Sequence, residues 1–107
     1  MKLKMIQQNY TIGDLVGNTT KICEAVLKEA EDYDLLVFSE LCISGYPPLD
    51  LIVRPGFVEA QMKCLETIQA CLDENNLQCT LALGVLCPTE FGKRMYNSVC
   101  LLEKNTE

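Results

Sequence analysis

The sequence predicts an α/β fold of about four strands and two helices. Apolar residues recur at helical spacing in two segments, and a short apolar run without polar partners follows each of them. A continuous apolar run after a helix is typical of a strand that is buried on both faces in a parallel sheet. The alternation of strand and helix therefore predicts parallel strands that are joined by helical crossovers.

The first half of the chain contains two strands and one helix in this reading. Residues 3–8 form the first strand, because apolar side chains alternate there without Gly or Pro. Asn18 is expected to cap a helix from about Thr19 to Glu31, since its side-chain oxygen suits a free amide of the first turn. Residues 35–38 form the second strand. The buried stripe of the helix is expected to be Ile22, Ala25, Val26 and Ala30.

The second half begins with an irregular segment, residues 39–56, which contains Pro47 and Pro48. Pro55 suits the first position of a second helix that ends near residues 75–76. Residues 79–86 and 95–102 are the third and fourth strands, and the chain stops at the start of the next turn. An open sheet edge would remain there, which predicts a fragment of a larger domain, with a natural terminal edge strand as the alternative. The buried stripe of the second helix is expected to be Val58, Met62, Leu65, Ile68 and Leu72.

Composition excludes several classes of protein. The chain has 107 residues, enough for one domain, and a net charge of −6 without a basic stripe, so nucleic-acid binding is not expected. No apolar run is long enough to cross a bilayer, and a cytoplasmic protein is expected. The absence of histidine excludes Ser-His-Asp and HExxH sites. The seven cysteines form no C-x-x-C pair, which favours reduced core thiols over zinc ligands or disulfides.

Glu40 is the candidate catalytic residue. It follows the second strand by two residues, and ligands in open α/β sheets bind beyond the carboxyl ends of the strands. Its neighbours Leu41, Cys42 and Ile43 predict apolar surroundings, in which desolvation would raise the proton affinity of a general base. A capping or ion-paired glutamate at the end of a strand is the alternative on position alone.

Three segments resemble the nitrilase superfamily in order and spacing. These are residues 12–18, the stretch from Leu36 to Tyr46, and Tyr96-Asn97-Ser98. The stretch Gly45-Tyr46-Pro47-Pro48-Leu49-Asp50-Leu51 is more specific, because it is similar to a signature of glutamine-dependent NAD synthetases. The resemblance implies a partial nitrilase-type α-β-β-α sandwich, with residues 1–107 as the incomplete N-terminal portion of a glutamine amidase domain.

The resemblance also implies an activity. Glu40 takes the place of the glutamate in a Glu-Lys-Cys triad. Tyr46 takes the place of a tyrosine that lines the glutamine pocket, and an aromatic plug of its loop explains Tyr46 equally well. The lysine and the cysteine of the triad would lie beyond residue 107, and no cysteine of this chain is assigned as nucleophile. Glutamine hydrolysis would supply ammonia for ATP-dependent amidation of deamido-NAD, with ATP and magnesium bound by a separate synthetase domain. The family also implies a homo-oligomer in the full-length protein.

Two alternatives remain open from the sequence. In the first, the chain is the start of a stand-alone nitrilase-type amidase or carbamoylase. In the second, it is a non-catalytic scaffold fragment. The sequence after residue 107 distinguishes the first alternative, and incubation of the chain with glutamine tests the second.

Overall fold

The computed structural model describes residues 1–45, 55–88 and 95–105. Its described elements alternate as predicted from the sequence. They are, in chain order, β1 (Leu3–Ile6), α1 (Leu15–Glu29), β2 (Leu35–Phe38), α2 (Phe57–Glu74), β3 (Thr80–Pro88) and β4 (Met95–Leu102).

The four strands form one mixed sheet in the order β1-β2-β3-β4. The first three are parallel, with Leu3 opposite Leu35 and Leu35 opposite Thr80. β4 returns antiparallel to β3. Parallel strands end at the same edge, so the residues that follow β1 and β2 are brought together there. The predicted α/β class with four strands and two helices is confirmed.

Both helices contribute to the apolar core on one face of the sheet. Leu36, Leu81 and Leu83 from the strands pack with Ile22 of α1 and Ile68 of α2, and all five are fully buried. Residues that alternate with these along the strands point to the other face. There, in the described part of the chain, the large side chains Leu3, Met5, Val99 and Leu101 are exposed. The two faces of the sheet therefore differ: helices cover one, and the other exposes large apolar side chains of β1 and β4.

The start of α1 differs from the prediction. The helix begins at Leu15, and its N-cap is Asp14, whose carboxylate accepts a hydrogen bond from the Gly17 backbone N–H at 3.0 Å. A carboxylate at this end is favoured by the helix dipole. The prediction that Asn18 caps the helix was wrong, because Asn18 lies inside the first turns and is fully buried. The predicted buried stripe, Ile22, Ala25, Val26 and Ala30, is confirmed.

The buried face of α2 also differs from the prediction. The helix begins at Phe57, after Gly56, and Pro55 precedes it in a turn. Met62 was expected in the core but is 51% exposed. Gln61 takes a core position instead, because its amide donates to the Leu86 carbonyl at 2.7 Å and accepts from the Leu86 N–H at 3.1 Å. A search for apolar periodicity misses a polar residue of this kind. The buried residues are Phe57, Gln61, Cys64, Ile68 and Leu72.

The remaining boundaries agree closely with the sequence. β2 and β4 have the predicted limits, β1 ends at Ile6 rather than at residue 8, and β3 covers Thr80–Pro88 rather than 79–86. Among the described helices, none combines the length and apolar character needed to cross a membrane.

Candidate functional site

Glu40 lies at the edge where β1 and β2 end. It lines a polar pocket of about 400 Å³ that the residues after both strands enclose. Because β1 and β2 are parallel neighbours, the residues that follow β1 lie beside the residues that follow β2. The pocket is lined by Gln8, Asn9, Tyr10, Ser39 and Glu40.

Glu40 also reaches a second, more apolar pocket on the open face of the sheet. This pocket is about 280 Å³ in volume, and Val37, Ala82, Gly84 and Val99 are among its lining residues. The glutamate therefore stands where a polar pocket beyond the strand ends meets an apolar groove along the sheet. A ligand with a polar end and an aliphatic stem matches this combination of surfaces.

The side chain of Glu40 is exposed, which corrects one expectation from the sequence. Its apolar neighbours Leu41, Cys42 and Ile43 were expected to surround it, but they turn into the core and are fully buried. The open face of the sheet beside Glu40 is not covered by any described element. The candidacy of Glu40 therefore rests on its position at the strand ends.

The segment 41–45, which follows Glu40, is completely buried. It forms a single turn in which the Gly45 N–H donates to the Leu41 carbonyl at 2.8 Å. Leu41 has a φ of 54°, a conformation that is strained for a side chain branched beyond Cβ. Such strain persists only where the surroundings impose it, and it clusters at functional sites. The backbone next to Glu40 is thus held rigidly although the carboxylate itself is exposed.

Asn18 connects this segment to the loop after β1. Its side-chain oxygen accepts from the Thr11 N–H at 2.8 Å, and its Nδ2 donates to the carbonyls of Thr11 at 2.8 Å and Ile43 at 2.7 Å. The Gly13 N–H adds a bond to the Ser44 carbonyl at 2.9 Å. The walls of the polar pocket are therefore held together by a buried amide. Sequence reasoning missed this role, although a lone Asn among core positions of a helix was a usable signal.

The polar pocket contains its own hydrogen bonds. The Tyr10 hydroxyl donates to Gln8 Oε1 at 2.7 Å, and Gln8 Nε2 donates to the Lys21 carbonyl at 3.0 Å. Burial raises the pKa of the Tyr10 hydroxyl, so this group remains a protonated donor at neutral pH. Gln8 and Tyr10 were not predicted as pocket residues. Their place after a strand parallel to β2 was the available signal.

Two of the cysteines, Cys42 and Cys23, do not suit the role of a nucleophile. All seven lie in the described part of the chain, and none forms a disulfide. Cys42 is closest to Glu40 in sequence, but it is fully buried, and burial raises its pKa to about 11. Burial likewise raises the pKa of Cys23 to about 12. These thiols are protonated at neutral pH and inert, since the thiolate is the reactive form.

Several residues from the sequence analysis lie outside the described residues. They include the second proposed site residue, Tyr46, together with Asp50 of the same segment. Within the described ranges, no cluster of three or more His, Cys, Asp or Glu side chains is arranged to hold a metal ion.

Comparisons with known proteins give a consistent result, although no protein-family model matches the chain. The chain is 33% identical over 108 residues to the glutamine-dependent NAD+ synthetase of Synechocystis sp., covering 95% of this chain and 19% of that protein. It is 40% identical over 88 residues to that of Thermotoga maritima, covering 80% of this chain and 15% of that protein. The chain thus spans less than a fifth of the length of these two relatives.

Solved structures give the same family and the fold. The glutamine-dependent NAD+ synthetase from Acinetobacter baumannii, in complex with ADP, matches with a TM-score of 0.81 at 28% identity, over 95% of this chain and 18% of that chain. An amidase of the nitrilase superfamily from Nesterenkonia matches with a TM-score of 0.76 at 20% identity, over 96% of this chain and 38% of that chain, which shows the fold alone. The chain shares the nitrilase-type fold of this amidase, and its sequence relatives match it along nearly its whole length. The chain therefore belongs to the family of glutamine-dependent NAD+ synthetases.

Proposed function

We propose that this chain provides the general base of a glutamine-hydrolysing site. In the whole protein, the ammonia released would serve the ATP-dependent amidation of deamido-NAD to NAD. The observation that carries the proposal is the placement of Glu40 at the shared end of β1 and β2, on a rigid buried turn and between two pockets, in a chain of this family.

The proposed chemistry is that of a cysteine amidase. Glu40 accepts the proton of a cysteine thiol, which lies outside this chain, and the thiolate attacks the side-chain carbonyl carbon of glutamine. Glu40 then returns the proton to the departing nitrogen, so that ammonia leaves and a thioester remains. Water, deprotonated by the same carboxylate, hydrolyses the thioester to glutamate and restores the thiol. A lysine, also outside this chain, stabilises the tetrahedral oxyanion.

The two pockets suit glutamine in complementary ways. Its aliphatic stem matches the apolar groove beside Val37 and Ala82, and its polar ends match the pocket of Gln8, Asn9 and Ser39. Tyr46 is proposed as a further substrate-binding residue, six positions after Glu40. It lies outside the described residues, so this part of the proposal rests on the sequence signature.

The start of α1 does not fit the phosphates of ATP. The Gly13–Gly17 stretch lacks the Gly-Lys-Ser/Thr continuation of a phosphate loop. The start of α1 is also already occupied by the Asp14 carboxylate, which would repel a phosphate. We therefore assign ATP and magnesium to a separate synthetase domain, and residues 1–107 to the N-terminal portion of the glutaminase domain. A cytoplasmic homo-oligomer is proposed for the whole protein.

The decisive test compares two substrates of the whole protein. Glu40→Gln should lower the glutamine-dependent rate of NAD formation by about 10²–10⁴-fold, the usual contribution of a general base. The rate with ammonia supplied directly should not change, because that route bypasses the thioester. Glu66→Gln, at an exposed position of α2, is the matched control and should leave both rates intact. Full glutamine-dependent activity in Glu40→Gln would refute the role of Glu40.

The stand-alone amidase and the inert fragment are tested separately. A requirement for ATP and deamido-NAD in product formation would exclude the stand-alone amidase. The 107-residue chain by itself should release no ammonia from glutamine, because the cysteine and the lysine of the proposed mechanism lie outside it and Cys42, the cysteine closest to Glu40 in sequence, is a buried, protonated thiol. Ammonia release that disappears on mutation of one cysteine would contradict this expectation.

A further inference from the structure

We infer that Gly84 of β3 is a positioning residue for Glu40; the inference rests on the function proposed above. Gly84 lies on the open face of the sheet, in the wall of the apolar groove, where the chain leaving β2 crosses over β3. Its lack of a side chain lets the Glu40 backbone lie directly against the strand.

The contact is too close for any other residue. A Cβ added at Gly84 would lie 2.5 Å from the Leu41 nitrogen, 2.8 Å from Glu40 Cα and 2.9 Å from the Ser39 carbonyl oxygen. All three atoms belong to the backbone, so rotation of a side chain cannot relieve the clash. The φ of Gly84 lies outside the left-handed region, so its own conformation would accept alanine. Close approach of a second backbone, and no special turn, explains the glycine.

The segment after Glu40 cannot move aside to absorb the clash. Asn18 holds the Ile43 carbonyl at 2.7 Å, and Gly45 packs against Ile12 so closely that an added Cβ would lie 2.8 Å from Ile12 Cα. The Cys42 thiol approaches the Gly84 carbonyl at 3.8 Å and ties the same junction from the core side. A methyl group at Gly84 must therefore push residues 39–41 outward, away from the strand.

The size of this displacement follows from the contact distances. Ordinary contact begins at 3.4 Å, so the 2.5 Å approach to the Leu41 nitrogen must open by about 0.9 Å. A misplacement of about 1 Å in a catalytic group lowers a rate by roughly 100-fold. Gly84→Ala is therefore expected to reduce the glutamine-dependent kcat by about 100-fold, with a smaller change in KM.

The experiment measures glutamine-dependent and ammonia-dependent NAD formation in the whole protein. Gly84→Ala should lose the first rate and keep the second. Gly17→Ala is the matched control, because the three atoms nearest its added methyl all belong to the Asp14 side chain, and it should keep both rates. In a Glu40→Gln background, Gly84→Ala should cause no further loss, since Gly84 acts only through Glu40. A merely structural role would instead lower both rates or add to the loss.

The outcomes separate this inference from the proposed function. Loss of the glutamine-dependent rate in Glu40→Gln, with that rate retained in Gly84→Ala, overturns the role of Gly84 alone. A full rate in Glu40→Gln overturns the proposed function itself. If Gly84→Ala does not fold, Cys42→Ala decides, because it loosens the same junction without added volume. It should lower the glutamine-dependent kcat several-fold, whereas the equally buried Cys79→Ala should not, and equal effects of the two variants would overturn the inference.

Discussion

Removal of the Asn18 amide tests the structural account of the site most directly. Asn18→Ala deletes the hydrogen bonds to the Thr11 N–H, the Thr11 carbonyl and the Ile43 carbonyl, which are 2.7–2.8 Å long. Each such bond contributes about 1 kcal/mol net, and a buried group left without its partner costs about 1–3 kcal/mol. The variant should therefore lose about 3 kcal/mol of unfolding free energy, a large share of the roughly 5–15 kcal/mol of a typical domain.

Urea denaturation followed by circular dichroism measures this loss. The matched control is Asn75→Ala at the end of α2, where the side chain is exposed and donates one hydrogen bond, to the Cys71 carbonyl. It should cost less than about 1 kcal/mol. Hydrogen exchange of the Thr11 amide provides a local measure and should accelerate only in Asn18→Ala.

A loss below about 1 kcal/mol for Asn18→Ala, or one no larger than that of Asn75→Ala, would refute the reasoning. It would mean that water satisfies the three groups without Asn18. The loop after β1 and the segment after Glu40 would then be associated by packing alone, and the rigidity attributed to the pocket would lack its cause.

Three further predictions concern other parts of the structure. Gln61→Ala removes the side-chain hydrogen bonds to the backbone N–H and carbonyl of Leu86 in β3. It should lower the free energy of unfolding, measured by urea denaturation, by about 2–3 kcal/mol, well above the loss in Gln69→Ala at a partly exposed site. Alkylation at pH 8 should label the exposed Cys87 and not Cys42, whose pKa is raised to about 11 by burial; mass spectrometry showing labelled Cys42 in folded protein would contradict this. Hydrogen bonds, first of all from the Asn105 N–H, hold the pKa of Asp73 below its usual value. The stability that this carboxylate contributes is therefore present above the usual pKa and disappears as pH falls through the folded pKa. Acid titration of Asp73→Asn should show a shallower loss of stability below about pH 4 than the unsubstituted protein, and an unchanged profile would contradict the assignment.

The sequence predicted the architecture because apolar periodicity reports burial directly. The limits of β2 and β4 and the buried stripe of α1 followed from runs and spacings of apolar residues. The position of Glu40 beyond the end of β2 followed in the same way, because a strand end and the residues after it are local features. Pocket residues such as Tyr10 were not identified, since their proximity to Glu40 depends on which strands are neighbours.

Asn18, Gln61 and Gly84, whose roles were not predicted, are polar or very small, and these roles depend on distant partners. Asn18 was predicted as a cap and Gln61 was absent from the predicted core, yet both are buried because backbone groups 25 residues away complete their hydrogen bonds. Gly84 lies within the predicted third strand, and the crossing of residues 39–41 explains why this position is glycine. The exposure of Glu40 is likewise a tertiary result, since it depends on which face of the sheet the helices cover. The sequence by itself determined the elements, their order and the family resemblance, because these arise from side chains near one another along the chain. The tertiary structure alone decided which polar groups are buried and which backbones touch, because those depend on segments that meet only after folding.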